Sequence, residues 1–354
     1  MLKESKIFLA GSNGMIGSAI KQRLISDGYS NLLCPNSKEV DLMNQAETES
    51  FFKENEPEYV FLAAAKVGGV FASNVYKAEF IYRNLMISTN VIHYSYKYNV
   101  KKLMNLVPSC VYPHDAKQPI KENAMLSGHL EATTEAYAVA KIASIKLCTT
   151  YNYQYKTDFI SLIPTNVFGL NDNFNLETSH LIPAIIRKTI LAKALMEGNF
   201  ELIAKDIKLR ELGFGLDGKV YADNKISIIN ALRSIGIFAD EIEFWGSGVP
   251  KREFMCSDDL AAACLYFANN VSVKEAGDFI NVGSGRELSV KEVINIVSKI
   301  IGYTGKIDFN SIKPDGALRR LLDSGKANHL GWKSQFEFED SLKKVINNYL
   351  ETLS

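Results

Sequence analysis

Short apolar runs alternate with longer stretches of helical spacing through the first half of the chain. Lys6-Ile7-Phe8-Leu9-Ala10 runs into a glycine and predicts a buried strand. From Met15 to Ser26 the apolar residues Ile16, Ile20 and Leu24 recur along one face of a helix. The alternation continues with strands predicted at Asn31–Cys34, Tyr59–Ala63, Lys102–Val107 and Phe159–Ile163. Helices are predicted between them, around Ala46–Glu54, Ala78–Tyr96 and Tyr137–Thr150. Strand and helix in turn at this rhythm predict an α/β fold, a Rossmann-type doubly wound parallel sheet covered on both faces. Its crossovers are right-handed, and ligands gather at the carboxyl ends of its strands.

After about residue 170 the pattern changes to helix-like stretches with brief strands at Glu243–Trp245 and Phe279–Val282, closing with a helix near Asp340–Glu351. This part reads as a smaller mixed α/β C-terminal unit that carries the substrate. The expected division is 1–171, with 253–273 packed on it, against 172–252 and 274–354. The segment 191–240 is rich in Lys, Ile and Leu and reads as two packed helices around Gly213-Phe214-Gly215, an insertion.

Composition narrows the function classes without choosing one. Forty basic and forty acidic residues leave no net charge, which disfavours nucleic acid as a partner. The apolar stretch ending at Ala10 is too short for a secretory or membrane segment, and no membrane is expected as a partner. Five scattered cysteines with no C-x-x-C pair point away from a disulfide framework or zinc ribbon, so no metal is expected and a reducing cytoplasm fits.

The first chemical signal is Gly11-Ser12-Asn13-Gly14-Met15-Ile16-Gly17, between the first strand and the first helix. One glycine allows the tight turn, the next lets pyrophosphate approach the backbone, and the third permits close helix–strand packing. The helix N-terminus then offers free N–H groups to the anion. This G-x-x-G-x-x-G spacing resembles that of the extended short-chain dehydrogenase/reductase superfamily. The run after the second strand, Cys34-Pro35-Asn36-Ser37-Lys38, has no acid before Glu39, which favours NADP(H) over NAD, with Ser37 and Lys38 toward the 2′-phosphate. Asp41-Leu42 is expected near the adenine.

Y-x-x-x-K puts two side chains on one helical face. The chain holds three such pairs, Tyr98/Lys102, Tyr137/Lys141 and Tyr221/Lys225. Only Tyr137/Lys141 follows the fourth strand and opens a helix; the other two read as surface coincidences. The Lys141 ammonium is expected to lower the Tyr137 phenol pKa and hold the nicotinamide ribose, and Tyr137 to protonate the oxygen of a carbonyl receiving hydride.

Longer motifs carry a closer resemblance. Ala63-Ala64-Ala65-Lys66-Val67-Gly68-Gly69-Val70, Ser109-Cys110-Val111-Tyr112-Pro113 and Pro164-Thr165-Asn166-Val167-Phe168-Gly169 are three of them. Ser179-His180-Leu181-Ile182-Pro183, Trp245-Gly246-Ser247-Gly248, Arg252-Glu253-Phe254 and Lys313-Pro314-Asp315-Gly316 complete the set. On these the chain resembles the GDP-L-fucose synthase family and related nucleotide-sugar 4-reductases over nearly its whole length, the insertion excepted. The resemblance implies NADPH-dependent reduction of the C4 ketone of a GDP-linked 4-keto sugar, of 6-deoxyhexose or heptose type, in capsule or lipopolysaccharide synthesis, by a homodimer. C3/C5 epimerisation would use Cys110 as base and His180 as acid. Ala64, Pro164, Asn166, Val167 and His180 match coenzyme-binding positions. Asn166, Lys188, Trp245, Arg252 and Asp315 match substrate contacts.

Two departures stand out. The family's catalytic serine position holds Pro108, which has no side-chain donor. Ser109 follows it but on an extended chain would face the other way, so either Ser109 replaces the donor in part or the substrate is positioned differently. The insertion reshapes the sugar pocket or makes a subunit contact. Two competing readings are an NADP-binding regulatory protein that has lost catalysis, and an epimerase or dehydratase with tightly held NAD.

Overall fold

The computed structural model describes residues 1–313 and 315–354; Pro314 of the Lys313-to-Gly316 motif lies outside the described residues. The elements of the first half are β1 (Ile7–Ala10), α1 (Met15–Ser26), β2 (Leu32–Leu33), α2 (Gln45–Asn55), β3 (Tyr59–Leu62), α3 (Val70–Val75), α4 (Lys77–Lys97), β4 (Lys102–Leu106), α5 (Glu135–Tyr155) and β5 (Phe159–Pro164). There follow β6 (Asn166–Phe168), α6 (Leu181–Met196), α7 (Phe200–Leu209), α8 (Lys225–Ser234), β7 (Glu241–Trp245), β8 (Lys251–Cys256), α9 (Ser257–Asn270), α10 (Val273–Ala276) and β9 (Phe279–Val282). The chain ends with β10 (Glu287–Ser289), α11 (Val290–Ile301), β11 (Lys306–Asn310), β12 (Arg319–Arg320), α12 (Gly325–His329) and α13 (Phe338–Glu351).

Six strands form one parallel sheet in the order β2-β1-β3-β4-β5-β9. Strands buried on both faces read as nearly continuous apolar runs rather than as alternating ones. Every residue of β1, β4, β5 and β9 is accordingly buried. Ile7, Leu9, Met104 and Ile160 pack toward α1 and α9, while Phe8, Val60, Leu62 and Leu103 pack with Phe52, Val91 and Tyr94 from α2 and α4. Because β2 and β3 lie on opposite sides of β1, the strand order reverses there, and a crevice opens at the carboxyl end of β1. The glycine turn fills that place.

The second body is built around β10-β8-β12, with β6 beside β8, and the parallel pair β11-β7. Its core joins α6, α7, α8, α11 and α13 through Ile186, Ile190, Ile203, Leu232, Ile294 and Ile346. The sequence grouping puts Phe279–Val282 with this body, but β9 hydrogen-bonds β5 as the sixth strand of the nucleotide sheet. A run of Phe279, Ile280 and Val282, broken only by buried Asn281 whose amide is hydrogen-bonded to the Tyr112 hydroxyl and the Ile120 carbonyl, suits a doubly covered strand, whichever side of a division it falls on. We therefore propose that the boundary after α9 be redrawn to keep β9 with the sheet. Buried Glu253 joins the two bodies by accepting N–H bonds from Gly285 (2.7 Å) and Leu322 (3.0 Å).

Candidate active site

Gly11 has φ +85°, and a Cβ there would lie 2.7 Å from the backbone nitrogen of Ala64; on Gly17 it would lie 2.0 Å from the Gly11 carbonyl oxygen. These two glycines are fixed by backbone packing. Around Gly14, by contrast, a Cβ would meet only Gly11 O, at 3.5 Å, among the described residues. Gly14 also caps α1, with no side-chain cap bond and no acid in the first turn. Unclaimed N–H groups behind an open glycine make a cradle that fits the pyrophosphate of a dinucleotide.

The ligand-facing segments around this cradle are held by short polar bonds. Buried Ser12 donates to the carbonyl of Cys34 (3.4 Å), tying the glycine turn to the end of β2. Beyond it, Glu39 turns back to accept from Asn36 N (2.7 Å), and Asn36 Oδ1 accepts from Lys38 N (2.9 Å). The first acid after β2 is thus spent within its own turn, and Ser37 and Lys38 stand exposed. That is the donor-rich surface a 2′-phosphate needs. Asp41 accepts from Met43 N (3.0 Å), and the carbonyl of Leu42 accepts from Asn90 (2.9 Å). Asn13 and Gly14 are exposed, Met15, Ile16 and Ala64 half-buried.

Beyond β4 the chain turns. Pro108 (φ −72°, ψ 155°) leads into a 3-10 turn over Ser109–Val111, so the expectation that Ser109 points away on an extended strand does not apply. Arg320 fixes the turn by donating to the carbonyl of Ser109 (2.8 Å). On α5, Lys141 is buried and donates to the carbonyl of Leu106 (3.2 Å). Burial pulls its ammonium down to about 8, with the Cys110 and Cys148 thiols acting in the opposite direction. The Tyr137 ring packs edge-on against buried Phe80, centroids 5.9 Å apart.

The expectation that Lys141 lowers the Tyr137 phenol is corrected here. Burial, then Cys110, pushes that phenol up, while the Lys141 ammonium is turned to a backbone carbonyl. A phenol raised in this way is protonated at neutral pH and is a weaker acid than a free tyrosine. Cys110 is likewise pushed up to about 11 by burial, although Arg320 and Lys141 pull it back.

His180 stands at the N-cap of α6, its carbonyl accepting from Ala184 N (3.2 Å). The preceding segment is anchored by Gly69 N donating to the carbonyl of Thr178 (2.8 Å), and Gly68 leaves room for Phe80, the neighbour of Tyr137. The His180 ring is solvent-accessible, yet surrounding protein lowers its pKa by desolvation. Cys110 and Tyr137 combine partial access with strong desolvation in the same way. Accessible from one side and enclosed on the others, these groups line a cleft.

The far wall of the cleft is cationic. Pairing of β12 with β8 sets Arg320 beside Arg252; burial, and then the Arg320 charge, make Arg252 harder to charge, and it falls to about 10, while Arg320 is lowered by its own burial. Neither forms an ion pair with a carboxylate among the described residues. Two adjacent unpaired guanidiniums in a cleft call for an anion. Lys188 donates to the carbonyl of Glu243 (2.6 Å) and sits 5.2 Å from the Phe244 ring centre; burial draws it down to about 8. Trp245 is 51% exposed, and Asp315 accepts from Ser247 N (2.9 Å) and Ser247 Oγ (2.6 Å), two residues on. Asn166 donates to the carbonyl of Glu253 (3.0 Å) between the walls; Pro164 and half-buried Val167 flank it.

Of the other Tyr/Lys pairs, Tyr221 is exposed, but Lys102 is not a surface residue. It lies on β4, buried, donating to Val271 O (2.6 Å) and paired with Asp158 at 3.1 Å. Motif spacing alone does not reveal that the pair straddles a helix end and a strand. Sequence reasoning missed Arg320, Phe71 and Phe214 as cleft residues. The first has a signal, two consecutive arginines shortly after the Asp315 motif; the aromatic pair has none, since only the fold joins α3 to the insertion.

Residues 7–218 and 215–283 match the NAD dependent epimerase/dehydratase family. GDP-L-fucose synthase 1 of Arabidopsis thaliana is 41% identical over 351 residues, covering 99% of this chain and 95% of that protein. Two solved structures from Campylobacter jejuni share the fold. One, a GDP-6-OMe-4-keto-L-xylo-heptose reductase, is 39% identical with TM-score 0.92, covering 100% of this chain and 99% of its own. The other, a GDP-D-glycero-L-gluco-heptose synthase in the presence of NADPH, is 38% identical with TM-score 0.91 and covers 99% of each chain. With a dinucleotide cradle, a Tyr137/Lys141 pair and a cationic cleft along one crevice, this chain belongs to the NAD dependent epimerase/dehydratase family and, within it, to the GDP-L-fucose synthase family.

Proposed function

We propose that this protein reduces the C4 ketone of a GDP-linked 4-keto sugar with NADPH. The observation that carries the reading is the convergence of Tyr137, buried Lys141 and Cys110 beside the carboxyl end of β4, on the same edge of the parallel sheet as the glycine cradle after β1. Relatives that reduce or synthesise GDP-sugars, one solved with NADPH, support it. The turn Gly11–Gly17 binds the pyrophosphate, with Asp41 and Leu42 at the adenine and Ser37 and Lys38 at the 2′-phosphate. Ala64, Pro164, Asn166, Val167 and His180 line the remainder of that site. The bound coenzyme supplies hydride to C4. Tyr137 gives its proton to the carbonyl oxygen, so that C=O becomes CH–OH, and Lys141 holds the ribose and compensates the phenolate charge. Ser109, which opens the 3-10 turn after Pro108, donates to the same oxygen in place of the missing serine. Arg252, Arg320 and Lys188 hold the diphosphate, Trp245 and Asp315 the nucleoside.

A regulatory protein without catalysis is not favoured, because it would have no use for a desolvated lysine beside a protonated tyrosine. The sugar is of 6-deoxyhexose or heptose type, and we assign the protein to cytoplasmic nucleotide-sugar synthesis for surface polysaccharide, acting as a homodimer. No helix among the described residues is long and apolar enough to cross a membrane. The test is loss of NADPH absorbance on adding GDP-4-keto sugars, run in heavy water with product analysis by NMR. Oxidation of one NADPH per sugar is expected, and no oxidation with any of them despite NADPH binding refutes the reading. Deuterium at C3 or C5 reports enolisation, with the product's configuration at those carbons telling whether they invert; absence of deuterium leaves reduction alone.

A further inference from the structure

The insertion does more than pack. Its helices α7 and α8 are joined by a turn in which Gly213, Phe214 and Gly215 all adopt positive φ (81°, 55° and 65°). Glycine takes that conformation freely, whereas a phenylalanine rarely does, and a bulky residue kept there points to a role for its side chain. The turn is tied from both sides. Asp217 accepts from Leu212 N (2.7 Å) and Gly213 N (2.8 Å), and Glu177 accepts from Phe214 N. Glu177 lies in the same short loop that leads to His180. A Cβ on Gly213 would lie 2.5 Å from that of Glu177, so the contact requires glycine.

This bracing delivers the Phe214 ring between two half-exposed aromatics. Its centroid is 5.7 Å from Phe71 on α3 and 6.1 Å from Trp245 at the end of β7, tilted by 59° and 60°. Phe71 is 40% exposed and Trp245 51%, and Phe214 itself is half-buried. Three rings from three distant segments therefore meet at the mouth of the cleft instead of in a core. Their faces are inclined to one another and part-exposed, with the Lys313 ammonium 5.1 Å from the Trp245 ring centre and the Asp315 carboxylate bound to Ser247, two residues beyond Trp245. Flat apolar walls beside a hydrogen-bond acceptor suit a planar base that carries N–H donors.

We propose that Phe214 is a substrate-binding residue contributed by the insertion, closing the nucleoside end of the cleft by packing a guanine-type base against Trp245. The proposal rests on the reading of the cleft as a GDP-sugar site and deepens it. Binding of GDP alone and of NADPH alone is measured by calorimetry for the wild type, Phe214→Gly and Phe214→Tyr. Glycine relieves the left-handed backbone as it removes the ring, so the first variant is suited to fold, and tyrosine keeps the ring. Loss of one base–aromatic contact weakens GDP binding about tenfold in Phe214→Gly. Phe214→Tyr stays within about twofold by the same scale, and NADPH affinity is unchanged in both. Equal GDP affinity in the wild type and Phe214→Gly overturns the proposal, as does a parallel fall in NADPH and GDP affinity, which marks a structural role. A wild type that does not bind GDP refutes the underlying reading of the site instead.

Discussion

Replacing Arg187 by methionine tests how the insertion is held to the site. Arg187 is fully buried on α6 and donates to Asp206 Oδ1 from Nε (3.0 Å) and Nη2 (2.7 Å). It also reaches three carbonyls, of Phe174 (2.9 Å), Arg210 (2.8 Å) and Glu211 (2.6 Å). One guanidinium thus joins α6, the end of α7 and the loop before His180. Asp206, itself fully buried, has as further partners the Tyr349 hydroxyl of α13 and, at 3.9 Å, Arg210. Without Arg187 that carboxylate stays buried without its principal cation, which costs about 3–5 kcal/mol. The freed carbonyls add to this, less than additively, because they share the partner. If the second body unfolds as a unit of about 150–250 residues, each kcal/mol lowers Tm by about 2–4 °C, and the expected drop is on the order of 10 °C. The assay is thermal unfolding followed by far-ultraviolet circular dichroism, with Arg187→Met/Asp206→Leu as the second variant. The double variant, free of a lone buried charge, should recover part of the loss. A single variant within about 2 °C of the wild type would refute the keystone role, since the expected cost far exceeds that.

Three further outcomes follow from the site. Tyr137→Phe should lower the reduction rate by about 10²–10⁴ with NADPH affinity retained, measured by pre-steady-state absorbance and fluorescence titration. Ser109→Ala should lower kcat by about 10²–10³ if the turn presents its hydroxyl to the carbonyl oxygen, and unchanged turnover removes Ser109 from the mechanism. Lys141 and Lys188, both drawn down to about 8, lose their charge above that pH, so kcat/KM should fall on the alkaline side; Lys188→Arg should leave the kcat limb in place and remove only the KM part. The stability sign is opposite. Below pH 8 both folded and unfolded lysines are protonated, whereas between about 8 and 10.5 the unfolded chain binds more protons, so these two residues make unfolding harder as pH rises through that window.

Local pattern carried most of the nucleotide-binding sheet. The helix predicted over Met15–Ser26 matches its observed bounds, because Gly14 before it and the turn at Asp27-Gly28 punctuate it in the sequence. The insertion's two helices around Gly213-Phe214-Gly215 were equally readable, through the glycines at the turn. What was not legible depends on contacts across long separations. Nothing near Phe279–Val282 says that it pairs with β5 rather than with its sequence neighbours. The sign of the Tyr137 shift was missed for a similar reason: helix spacing puts Lys141 near the phenol, but only the fold reveals that burial is the larger effect and that Leu106 takes the ammonium. The serine replaced by Pro108 invited an argument from extended geometry, which a three-residue 3-10 turn sets aside.

The central claim is tested most directly by transferring label instead of watching absorbance. Wild-type protein is supplied with NADPH deuterated at the transferable position of the nicotinamide and a GDP-4-keto sugar in ordinary water, and the product is examined by NMR. One deuterium at C4 of the sugar, none elsewhere, and loss of that transfer in Tyr137→Phe are the results expected. A sugar product unlabelled at C4, or a Tyr137→Phe variant that transfers label at the wild-type rate, would contradict the account.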